Sequence, residues 1–154
     1  MRKKMVAMLL IVSQSAITGV QAEDKCIKPN EVEADQIRYI ETQLKVAALQ
    51  CKGHQYVNMP LFYNDFLLEN RPYLVRTQKP LQAYLKRVGE GETISTYMDS
   101  IATRVSIESV EVSQFCNRAM LAAGFSAKTA HPVKLLGLMP VEYRRPAAYC
   151  RVRG

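Results

Sequence analysis

The sequence predicts an all-α fold, a four-helix bundle with a long bent second helix, two disulfides and an extended basic C-terminal tail. Three observations lead there. Apolar residues recur at three- and four-residue steps through most of 31–124. Four cysteines follow an N-terminal segment with the layout of an export signal. Residues 125–154 contain Pro132, Pro140 and Pro146 and sustain no helical period.

The first helix is predicted over about 31–52. Asn30 can cap it, with Glu33 placed for a capping box. Ile37, Ile40, Leu44, Ala47, Ala48 and Cys51 form one apolar stripe, and Gly53 supplies a left-handed stop. The second helix opens at Asn58 or Met59, with Pro60 in its first turn. Tyr63, Leu67, Leu74, Leu81, Leu85 and Val88 keep one phase across Pro72 and Pro80. That phase predicts one helix bent at each proline, or two nearly collinear pieces, ending at Gly89. Thr93 can cap a third helix carrying Ile94, Met98, Ile101 and Val105. Ser109 can cap a fourth, with Val112, Cys116, Ala119, Met120 and Ala123 inward and Gly124 at its end. Beyond it, the tail is expected to lie over the bundle, with a short strand or hairpin possible.

The chain therefore divides into a signal peptide (1–22), a helical bundle (23–127) and a basic tail (128–154). Arg2, Lys3 and Lys4 precede a mainly apolar run over 5–19, and Val20-Gln21-Ala22 reads as a cleavage site before Glu23. That run is too short and interrupted for a good membrane span. Glu23, Asp24 and Lys25 argue against lipid attachment at Cys26, which needs small apolar residues before it. The remaining 132 residues suffice for one core.

Export gives the cysteines their meaning. An even count in a small exported protein argues for two bridges. Cys51 and Cys116 lie on buried stripes of two helices, while Cys26 and Cys150 lie outside the helices near opposite ends. Pairing 51 with 116 and 26 with 150 is the simplest of three assignments, and sequence does not choose among them. A zinc site would need local ligand pairs, and only Cys51-Lys52-Gly53-His54 has such spacing. No Cys-x-x-Cys suggests a redox pair. No metal or cofactor is expected.

Leu44-Lys45-Val46-Ala47-Ala48-Leu49-Gln50-Cys51, Tyr63-Asn64-Asp65-Phe66, Leu81-Gln82-Ala83-Tyr84-Leu85-Lys86-Arg87 and Phe115-Cys116 together resemble small exported helical proteins of Gram-negative bacteria with no assigned activity. The resemblance spans about 26–124. It implies periplasmic export and a helical bundle, and it carries over no catalytic residue.

Charge separates the bundle from the tail. Residues 23–127 hold 12 basic and 13 acidic residues. Residues 128–154 hold Lys128, Lys134, Arg144, Arg145, Arg151 and Arg153 against Glu142 alone. Tyr143, Arg144 and Arg145, then Tyr149 and Arg151, set aromatics among charges, a mix found at contact surfaces. With Arg153 they form the candidate partner-binding set, directed at another envelope protein or an anionic surface. Export argues against nucleic acid as that partner.

Catalysis finds little support. His54 and His131 fall in separate loops, with no nucleophile and orienting group assembled beside either. Glu69, Glu90, Glu92 and Asp99 are the acids considered for glycan cleavage, and nothing sets two of them at a defined separation. Gly89-Glu90-Gly91-Glu92 lacks the Lys-Ser or Lys-Thr of a phosphate loop. The expectation is an exported, non-catalytic binding protein. A small-ligand or lipid carrier is the alternative, discriminated by whether the aromatic face of the second helix opens a cavity, and a cell-wall hydrolase is the lesser one.

Overall fold

The structure, a computed structural model, describes residues 25–89 and 92–150. The signal-peptide segment, Glu90, Arg151 and Arg153 lie outside the described residues. Among the described residues, five α-helices form the body: α1 (Pro29–Gln50), α2 (Met59–Glu69), α3 (Arg71–Val88), α4 (Ile94–Glu108) and α5 (Phe115–Ser126). Two 3-10 segments, His54–Tyr56 and Pro132–Leu138, complete the regular elements of the described residues. No strand is formed among the described residues; one isolated parallel bridge pairs Ile27 with Tyr149.

Helix α1 is the axis, packing against the four other α-helices and Pro132–Leu138. It starts two residues before the expected point. Pro29 occupies its first turn, where the missing N–H has no partner to lose. Glu31, rather than Glu33, closes that turn by accepting the Lys28 N–H at 2.8 Å. Helix α1 ends where Cys51 turns extended (φ −72°, ψ 111°); Gly53, expected as a left-handed stop, lies two residues further on at φ +108° and ψ 160°, where glycine is favoured and the next 3-10 turn begins.

The long second helix is divided. Between α2 and α3 the backbone leaves helical geometry at Asn70, which bonds its side-chain amide to the Phe66 carbonyl at 3.0 Å. Pro72 then sits in the first turn of α3, where proline suits a start better than a continuation. Pro80, by contrast, is carried inside α3.

Thr93 caps α4, accepting the Thr96 N–H at 3.2 Å. Helix α5 departs most from expectation. Ser109 bonds instead to Gln50 and to the Ser106 carbonyl, residues 109–114 form turns, and Gln114 takes a left-handed conformation (φ 59°) before α5 begins. Gly124 does not end α5; it lies within it.

The main core gathers Ile40, Leu44 and Ala47 of α1 with Phe66, Val105, Phe115, Ala119 and Leu135. A second cluster joins Ile27, Val32, Leu81, Tyr84 and Leu85. Ile40 and Leu44 are fully buried, so truncating either to alanine costs about 2–5 kcal/mol. Disulfides join Cys26 to Cys150 and Cys51 to Cys116. No helix among the described residues is long and apolar enough to cross a membrane.

Candidate functional site

Residues 139–150 form a strap running back along α1. Four side chains of α1 spaced four residues apart, Glu31, Asp35, Tyr39 and Gln43, share one helix face. All four are buried. Three of them hold the strap.

Gln43 pairs with the Val141 backbone on both sides of its amide. Its Nε2 donates to the Val141 carbonyl at 2.8 Å, and its Oε1 accepts the Val141 N–H at 2.9 Å. The side chain thus replaces a neighbouring strand and satisfies an N–H that burial would otherwise leave unpaired, while the Val141 carbonyl also accepts the Tyr39 hydroxyl at 3.3 Å. Tyr39 donates its hydroxyl to the Glu142 carbonyl at 2.8 Å. Asp35 accepts both the Tyr143 and the Tyr97 hydroxyls at 2.6 Å, one on each carboxylate oxygen. From α5, Arg118 donates to the Met139 and Pro140 carbonyls at 2.8 and 3.1 Å. At the far end, the Ile27 N–H bonds to the Ala148 carbonyl, and the Cys150 N–H bonds to the Ile27 carbonyl. The Cys26–Cys150 bridge locks that end covalently.

Burial pushes the Asp35 carboxyl above its usual range, against the opposing pull of the two tyrosine hydroxyls and Arg104. Burial and then the Asp35 charge raise both Tyr97 and Tyr143, which keeps their protons available as donors. Burial pushes Tyr39 up to about 12. Glu31 goes the other way: burial raises it, but the Arg87 bond and the Lys28 N–H outweigh that and lower its carboxyl. Arg87 donates to Glu31 at 2.9 Å and to the Cys26 carbonyl at 2.9 Å, which ties α3 to the same corner.

The six candidate contact residues fall into three groups. Tyr143 is half-buried with its hydroxyl on Asp35, so it positions the strap. Arg144, Arg145 and Tyr149 are exposed. Arg144 extends outward with 67% of its side chain accessible, 3.5 Å from Glu108. The Arg145 guanidinium lies 4.1 Å from the Tyr149 ring centroid, while its Nε bonds to the Ala147 carbonyl at 2.7 Å. Arg151 and Arg153 lie outside the described residues.

Among the described residues, the acids and histidines named for catalysis do not converge. Glu69 faces Ser126 at 3.4 Å, while Asp99 and Glu92 are exposed. His54 is exposed on its 3-10 turn. His131 lies beside Glu33 at 3.3 Å and edge-on to Tyr73. Asp35, the most chemically distinctive acid, is only 2% exposed and sealed by its two tyrosines. No group of three metal-ligating side chains occurs among the described residues. Sequence reasoning missed Asp35, Gln43 and Arg118. The four-residue repeat of polar residues from Glu31 to Gln43 was the available signal.

The residues thus define an all-α, doubly bridged domain with an externally presented cationic and aromatic strap. No protein-family model, curated protein or solved structure matches the chain.

Proposed function

We propose that this is an exported, disulfide-stabilised, non-catalytic protein of the bacterial envelope that binds an acidic partner through its C-terminal strap. The observation that carries the reading is the exposed Arg145–Tyr149 pair, with Arg144 beside it, on a segment immobilised from both ends. A fixed guanidinium stacked on a ring loses little freedom on meeting a carboxylate or phosphate, so less of the attraction is lost to ordering. The near-neutral bundle concentrates the positive field at this surface.

The test compares the wild-type chain with an Arg144→Glu/Arg145→Glu variant. Salt-sensitive retention on phosphatidylglycerol vesicles, or on an acidic envelope protein captured by crosslinking, is expected to fall by about tenfold or more. Equal retention of every partner by both forms overturns the reading. Export is tested separately by sequencing the N-terminus of the chain recovered from the periplasm, with Glu23 expected as its first residue. A cytosolic chain retaining Ala22 contradicts it.

A further inference from the structure

On α2 and α5, away from the strap, lies a groove of about 630 Å³. Ligand sites commonly occupy about 300–1,000 Å³. Phe62, Leu121 and Phe125 line it, together with Gly124. Leu121 is 53% exposed and Phe125 43%, so these side chains reach toward solvent rather than into a core.

Gly124 is the informative residue. It lies inside α5, where glycine costs about 1 kcal/mol relative to alanine. Its φ is not positive, and a Cβ built there meets nothing within 4 Å. Nothing within the described residues therefore requires glycine, whereas an occupant touching the α5 backbone would. Charge selects the occupant. Among the described residues, Lys128 is the single ionisable one lining the groove. Its ammonium lies 6.0 Å from the Phe125 ring centroid and forms no ion pair among the described residues. Uncharged amides, Asn58 among them, border the groove elsewhere, and Glu69 is turned toward Ser126.

We propose that this groove binds a single-chain anionic amphiphile, a fatty-acid carboxylate. Its head pairs with Lys128, and its chain lies over Gly124 against Phe62, Leu121 and Phe125. An apolar trough with one cation matches a long apolar tail with one anion, and the open backbone at Gly124 lets the tail approach closely.

Calorimetry of the mature chain with laurate, below its micelle concentration, tests this. Dodecanol provides the same tail without charge. Saturable laurate binding is expected, with dodecanol about tenfold weaker. Lys128→Gln is expected to weaken laurate about tenfold and leave dodecanol unchanged. Gly124→Leu fills the groove and should remove both while helix content is retained. If that variant does not fold, the Lys128→Gln split between the two ligands decides. No laurate binding, equal binding by all folded variants, or equal weakening of both ligands by Lys128→Gln overturns the proposal. So does a concentration-dependent dimer that laurate does not dissociate, which would make a second copy the occupant. Adsorption to phosphatidylglycerol vesicles without uptake of monomeric laurate overturns it as well.

Discussion

The strap and the α2–α5 groove reverse the usual relation between regular backbone and satisfied surface. The strap has one isolated bridge to the rest of the chain, yet Gln43, Tyr39, Asp35 and Arg118 fix it side chain by side chain. Helices α2 and α5 have regular backbones, yet Leu121 and Phe125 remain open to water between them. Rigidity in this molecule therefore comes from buried polar side chains and sulfur as much as from helices. An apolar surface left uncovered by a well-packed pair of helices is correspondingly informative.

The largest expected effect breaks the strap's covalent end. Replacing Cys26 and Cys150 with serine releases a loop closed across 124 positions and should cost about 4–5 kcal/mol in urea unfolding of the oxidised chain. The Cys51–Cys116 pair spans 65 positions and should cost about 0.6 kcal/mol less on the same scale. Equal and negligible losses would mean that the side-chain anchors hold both regions unaided. Next, Gln43→Leu leaves the Val141 N–H buried without a partner and its carbonyl with the Tyr39 hydroxyl alone at 3.3 Å, a loss of about 2 kcal/mol by the same measurement.

A smaller effect concerns pH, and its sign differs between neighbours on α1. Glu31 has a lowered carboxyl, so its contribution is present above its ordinary value of 4.5 and is lost as pH falls through the folded value. Asp35 has a raised carboxyl, so its contribution is fully present below 3.8 and is lost as pH rises through the folded value. Glu31→Gln should therefore flatten the acid-side decline, and Asp35→Asn should remove the opposite slope, both followed by urea midpoints across acidic pH. The smallest effect belongs to the groove. Gly124→Ala should raise stability by about 1 kcal/mol, because helix propensity improves where no clash occurs.

Local signals carried much of the helical outline. Thr93 and the α1 stripe each act through neighbours a few residues away, so their effect is visible in sequence. Asn70-Arg71-Pro72 was also visible, but apolar phase cannot distinguish a bent helix from a divided one. The start of α5 was hidden because Gln114 adopts a left-handed conformation without glycine's usual signature. Counting apolar residues also hid the anchors of the strap. Asp35 and Gln43 resemble solvent-facing positions until Tyr97, Tyr143 and Val141 arrive from distant parts of the chain. The exposed arginines of the tail stood out by charge alone, whereas the side chains that anchor their segment required the fold.

The bond between Cys26 and Cys150, whose α-carbons lie 4.8 Å apart, makes the intervening polypeptide a closed ring. Tension applied to segments outside that ring would run through a sulfur–sulfur bond and bypass the helices. A tether joined at either side could be stretched without unravelling the domain while the bridge stays oxidised; a reductant would return the mechanical load to the fold.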